Sequence, residues 1–144
     1  MNAREYLLQV KKYEAIIKNK QIEIDRWKEL AKGSSAWAEG ERVQSSGNPE
    51  RMADAICTYV DMEQKCVGEI NDFKLQIHSI IKTIQKLKLD EYQVLHMVYI
   101  QYLDYTDIAE KMNVSKSWVT STHGNAIVSL QAILDERRGN DNSR

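Results

Sequence analysis

Between Ala3 and Lys32 the side chains of Tyr6, Val10, Tyr13, Ile17, Ile24, Trp27 and Ala31 recur at alternating steps of four and three, with Lys20 the polar member of the series. That is the a/d rhythm of a helix packing along one stripe against another helix. Gly33 suits the end of such a helix, and residues 33–48 (GSSAWAEGERVQSSGN) have the Gly and Ser content of a linker. Asn48 then Pro49 reads as an N-cap followed by a proline at the first helical position, where a missing N–H costs nothing. A second helix is therefore expected over 49–88. Its stripe is Met52, Ile56, Tyr59, Glu63, Cys66, Ile70, Phe73, Ile77, Ile80, Ile84 and Leu87, interrupted only by Glu63.

Folding one helix back on the other at a 33–48 linker predicts an antiparallel coiled-coil hairpin over 1–88. Ala31 then stands level with Met52, and opposed residues have numbers that sum to 83: Trp27 with Ile56, Ile24 with Tyr59, Ile17 with Cys66. The two polar interruptions meet in this register, Lys20 opposite Glu63, and such a pair disfavours slipped alignments more than it adds stability. Independent snorkelling of both side chains to water is the alternative. Ile80, Ile84 and Leu87 run past the start of the first helix, so they need cover from the C-terminal segment or from a second copy of the chain. A sixteen-residue linker exceeds the usual loop length, which leaves Arg42, Gln44 and Ser46 either as partner contacts or as turn residues.

After Leu89 the long repeat gives way to shorter amphipathic pieces. The pattern predicts a three-helix unit over 89–138 and a flexible tail over 139–144. Asp90 is the expected cap of a helix reaching about Tyr102, with Val94, Leu95, Val98 and Tyr99 inward. A short helix over 106–112 follows, then one that Ser115 caps and that reaches about Arg137.

The segment 106–125 (TDIAEKMNVSKSWVTSTHGN) has helix-turn-helix spacing. Ile108, Val114 and Val119 point inward, Ala109 lies where two helices cross closely, and Asn113 takes the turn position that needs a left-handed backbone. Lys116, Ser117, Thr120 and Ser121 then face outward, where such a motif reads base edges, while Thr106 and the helix starts meet phosphates. Ser115, Trp118 and His123 complete the expected DNA-binding set. Trp118 is equally open to a core position, a thymine-methyl contact or a protein contact.

Composition fits an all-α chain: one Pro, six Gly, 42% apolar and 28% charged residues in 144. The net charge of -1 provides no global field for nucleic acid or membranes, and 89–144 carries five basic against eight acidic residues. Charge-driven binding must be local, with Lys111, Lys116 and His123 near the motif and Lys82, Lys86 and Lys88 at the end of the second helix as its candidates. That acidic balance also keeps open a three-helix bundle that binds only protein. No stretch has the length and apolarity of a signal peptide or membrane span, so a cytoplasmic chain is expected. Cys57 and Cys66 lie nine apart, without zinc-site spacing, and read as reduced packing residues. His78, His96 and His123 have no ligand or nucleophile motif around them, so no metal, no cofactor and no enzyme activity is expected.

The stretch 89–130 (LDEYQVLHMVYIQYLDYTDIAEKMNVSKSWVTSTHGNAIVSL) resembles the C-terminal region of the sigma-70 family, which recognises the promoter −35 element with a helix-turn-helix and touches the flap of RNA polymerase. With the segment 42–63 (RVQSSGNPERMADAICTYVDME), the chain is similar to small phage and prophage proteins that include the RinA- and ArpU-related late regulators. The resemblance implies a DNA-binding transcription regulator of a phage or integrated element in a low-GC Gram-positive host. Double-stranded DNA is the implied partner, with host RNA polymerase and a second copy through the long helices as further ones. Where a basic residue is expected in the recognition helix, this sequence has Asn125. Two other readings remain open: a packaging component resembling a small terminase oligomer, and an adaptor that binds polymerase without DNA.

Overall fold

The computed structural model describes residues 1–40 and 49–143, with side chains over 1–32 and 49–143. The expected all-helical class is found: the described residues form α1 (Ala3–Gly40), α2 (Pro49–Ile84), α3 (Leu89–Tyr99), α4 (Tyr105–Met112) and α5 (Lys116–Asn142), with no strand among them. None of these helices is long and apolar enough to cross a membrane. Arg42, Gln44 and Ser46 lie outside the described residues. The chain divides into two compact units, Met1–Tyr13 with Leu75–Arg144, and Glu14–Lys74.

α1 does not end at Gly33. It continues to Gly40 through a segment containing Ala36, Ala38 and Glu39, good helix formers that offset a single internal Gly, whose cost is about 1 kcal/mol relative to Ala. At its other end Asn2 caps the helix reciprocally. The Asn2 Oδ1 accepts from the Glu5 N–H at 2.8 Å, and the Asn2 N–H donates to the Glu5 carboxylate at 3.2 Å.

The later end of α1 changes the register. With α1 closing at Gly40 and α2 opening at Pro49, the midpoint between the two helix ends falls further along the chain than a first helix ending at Gly33 would put it. In the unit Glu14–Lys74, Lys20 pairs with Glu69, and the Cys66 thiol donates to the Glu23 carboxylate at 4.0 Å. In the other unit the Tyr6 hydroxyl donates to the Thr83 Oγ1 at 3.1 Å. Each of these pairs sums to 89, so the expected register of 83 and its Lys20–Glu63 pair are corrected. Glu63 instead accepts from the Tyr59 hydroxyl, one turn earlier on α2, and this bond raises the Tyr59 phenol above its usual range.

The new register explains the end of α2. Opposing residue 6 to 83 rather than 77 brings the start of α1 over Ile80 and Ile84. Both are buried in one cluster with Ala3, Leu7 and Val10 of α1, Leu95 of α3, and Ala126 and Leu130 of α5, and Leu87 packs against it. The cover that the sequence left open between the C-terminal segment and a second copy is thus supplied within the chain. Ala3 and Leu7, off the expected stripe, are 1% exposed. The Ala3 N–H also donates to the Gln131 side-chain carbonyl of α5 at 2.8 Å.

A second cluster of Val94, Ile108, Ala109 and Val119 joins α3, α4 and α5. The adjacent residues Val94 and Leu95 let α3 serve both clusters, because neighbours on a helix point about 100° apart. Asp90 is not the cap of α3. Lys88 holds that position with no side-chain bond, and Asp90 sits in the first turn, where a carboxylate suits the positive helix end. α3 also stops short of Tyr102, which takes a left-handed backbone with φ 59° and lets the Leu103 N–H reach back to the Met97 carbonyl at 2.9 Å. The region expected as a tail is helical as far as Asn142.

Candidate functional site

The geometry around α4 and α5 follows from three capping residues. Asp104 stands before α4, and its carboxylate accepts from the Asp107 N–H at 2.8 Å. Asn113 ends α4 in the left-handed region at φ 57° and ψ 48°, its N–H turned back to the carbonyls of Ala109 and Glu110. Asn enters that region at lower cost than other side chains. Ser115 then caps α5 by accepting from the Trp118 N–H at 3.1 Å. Two helices are joined by a short turn, with Ile108 and Val119 wholly buried and Ala109 9% exposed at their contact.

This arrangement turns Lys116, Ser117, Thr120 and Ser121 outward, all four exposed on the first two turns of α5. Thr106 is exposed on the first turn of α4. The Thr120 hydroxyl donates to the Lys116 carbonyl at 3.1 Å, and the Ser115 hydroxyl serves the cap. Lys116 and the hydroxyls of Ser117 and Ser121 therefore form the open hydrogen-bonding face. The Lys111 ammonium, at the end of α4, reaches the Gln101 side-chain carbonyl at 3.5 Å.

Two members of the expected set sit elsewhere. Trp118 is half-buried and packs on the Val94, Ile108, Ala109 and Val119 cluster, the core placement among its three alternatives. His123 is corrected more sharply. It is 7% exposed, its Nε2 lies 3.0 Å from the Tyr99 hydroxyl, and its ring stacks on Tyr99 and tilts against Tyr105, with centroids 5.7 Å away in both cases. Burial, and secondarily the positive charge of Arg4, hold this imidazole below its usual range, while burial raises the Tyr99 phenol. It supplies no cation to a phosphate at neutral pH. The signal was present in the spacing: Val119, His123, Ala126 and Leu130 follow one another at four, three and four, one face of a helix.

A second cluster of functional side chains was only half legible. The basic end of α2 was expected near the helix-turn-helix. Instead Lys82 and Lys86 share an open groove of about 330 Å³ with His78, Ser79 and Arg137, the last from the far end of α5. Arg137 is fixed there by Thr83, which is 1% exposed. That hydroxyl donates to the Ser79 carbonyl at 2.9 Å and accepts from the Arg137 guanidinium at 2.9 Å and from Tyr6. Arg137 lies 54 residues from Thr83 in the chain, a separation that no local pattern reports.

Among the described residues no group of three or more His, Cys, Asp or Glu could hold a metal ion. The exposed face of α5 offers hydrogen-bonding hydroxyls and one positive charge. Comparison with known proteins adds one match: residues 34–131, about two thirds of the chain, fit the model of a family described as a protein of unknown function, DUF1492. No curated protein and no solved structure matches.

Proposed function

The chain belongs to the DUF1492 family, and we propose that it is a phage or prophage transcription regulator that reads duplex DNA with α4 and α5 as a sigma-like helix-turn-helix. One observation carries the reading: the left-handed Asn113 and the Ser115 cap turn the start of α5 outward with Lys116, Ser117, Thr120 and Ser121 exposed on one stretch. A helix presented in this way fits the major groove, with its N-terminal residues at the base edges. The resemblance of 89–130 to the sigma-70 C-terminal region points the same way and makes host RNA polymerase a second partner. In this reading the long helices α1 and α2 supply reach and a surface for a second copy, and the chain works in the bacterial cytoplasm without enzymatic activity or cofactor.

The test is the double replacement Lys116→Glu with Ser117→Glu. Carboxylates in the first turn favour the helix itself, so folding is retained while phosphates and base acceptors are repelled. Genomic fragments selected by the purified protein at about 50 and about 200 mM salt enrich one upstream site, because specific contacts outlast the counterion-driven part of the affinity. The double variant selects none. Equal selection by both proteins removes these residues from the interface. A folded wild-type chain that selects no fragment but is retained by polymerase favours the adaptor, a reading that the acidic balance of 89–144 supports.

A further inference from the structure

The groove between the end of α2 and the end of α5 lies apart from the exposed start of α5 and gathers His78, Lys82, Lys86 and Arg137 beside Leu75. His78 and Lys82 lie one turn apart on α2, and Lys86 follows just past its end at Ile84; all three line the groove. No carboxylate lines the groove, and among the described residues neither Lys82 nor Lys86 has an ion-pair partner. The groove therefore holds two lysines without a carboxylate partner, in a chain whose net charge is only -1. Arg137 faces them with one guanidinium nitrogen anchored on buried Thr83 at 2.9 Å. The remaining N–H groups of that fork stay available, in the planar geometry that suits phosphate oxygens.

The shape of the row selects the class of anion. His78 and Lys82 span one turn of α2, about 6 Å at the helical rise, Lys86 carries the row past the end of α2, and the groove is open rather than enclosed. A single phosphate covers only part of that length, whereas one strand of duplex DNA presents a phosphate about every 3.4 Å along its axis. Arg137 also lies 21 positions beyond Lys116 on α5, roughly 30 Å along the helix. The groove and the base-reading face therefore cannot hold the same phosphates.

We propose that His78, Lys82, Lys86 and Arg137 form a second, sequence-independent site for the phosphate backbone of duplex DNA, roughly 30 Å along α5 from the bases read at its start. The site rests on the reading of α4 and α5 as a DNA-binding module and extends the protein's footprint along the duplex. Its contribution is affinity and salt dependence, without base preference.

The experiment measures affinity of the full chain for a duplex of arbitrary sequence and roughly 30 base pairs, about three turns, across a salt series. Lys82→Ala with Lys86→Ala is the variant, because both side chains are exposed and neither enters a core cluster. Each lost phosphate contact reduces the log–log salt slope by about 0.9, so the double variant flattens it by about 1.8. Between about 50 and about 200 mM salt the wild-type protein then loses roughly 12-fold more affinity than the variant. The Lys116→Glu, Ser117→Glu protein keeps the groove and so retains part of that slope. A wild-type protein that binds with the same slope as the Lys82, Lys86 variant overturns this site alone. A wild-type protein with no affinity at the lowest salt overturns the DNA reading and this site with it.

Discussion

The two units are built from the same long helices yet are held together differently. In the unit Glu14–Lys74 two helices meet along one stripe, and only Cys66 and Ile70 are buried among its described side chains. Ile17, Ile24, Trp27, Met52 and Tyr59 are half-buried, and Ile56, assigned to the stripe by its spacing, is 48% exposed. In the other unit the ends of the same helices are flanked by α3 and α5, and Leu7, Val10, Ile84, Leu95 and Leu130 are at most 1% exposed. Two cylinders touch along a line and leave each side chain open on one flank; a third and fourth helix close that flank. The lesson is that heptad spacing reports which face of a helix is apolar, whereas depth of burial depends on how many elements meet there.

The sharpest way to break this contrast is to remove equivalent apolar groups from each unit. Leu95→Ala deletes a side chain that is 0% exposed and touches the central cluster, and it costs about 2 to 5 kcal/mol in denaturant unfolding. Ile24→Ala, at a half-buried position, costs about 1 kcal/mol, since only part of its apolar area leaves water on folding. Amide exchange sharpens the same contrast. The amides of α3 and the first half of α5 exchange near the limit of global unfolding, and those of 14–74 through smaller openings. Equal losses for the two variants, together with uniform protection, would remove the distinction.

Acid separates the units next. His123 is neutral, buried and bonded to Tyr99, with its pKa held below the usual 6.5 by burial. The unfolded chain therefore takes up a proton first as pH falls. The stability contributed by this group is complete above about pH 6.5 and declines as pH falls below it. His96, lowered by burial as well, acts in the same direction. The unfolding midpoint thus drops between neutral pH and mild acid, and His123→Gln reduces the drop while leaving the share due to His96. A drop of unchanged size in that variant would assign the acid sensitivity to other groups.

How much of this was legible depended on the range of the interaction. Asn113, Ser115, Ile108 and Val119 were placed correctly because turns, caps and helix faces are set within four or five residues. His123 misled because a polar side chain in a core stripe was read by its chemistry instead of its position. The end of α1 departs from its local signal for a related reason: Gly33 has the chemistry of a terminator, but a lone Gly only weakens a helix that good formers continue. That single boundary carried the register with it, and with the register the pairing of Lys20 and the cover of Ile80 and Ile84. The groove with Arg137 was illegible because Thr83 and Arg137 meet only through the packing of α5 on α2.

The smallest expected effect on stability belongs to the register pair itself. Lys20 and Glu69 are partly exposed and lie in the thinner unit, where water screens much of their attraction. Their mutual hydrogen bond raises the Lys20 ammonium above its usual 10.5 and lowers the Glu69 carboxyl below its usual 4.5. The sign for each group bounds the pair: its contribution is lost as pH rises above about 10.5 or falls below about 4.5, and is present between. Glu69→Gln therefore changes the midpoint little at neutral pH, and the register is better read by a covalent bond. Cys66 lies beside Glu23, whereas numbers summing to 83 would set it beside Ile17. With Cys57→Ser in the background, Glu23→Cys oxidises to an intramolecular crosslink with Cys66 and Ile17→Cys does not. The reverse result would restore the register of 83 and remove the start of α1 from the cover of Ile80 and Ile84, leaving it to Leu95, Ala126 and Leu130.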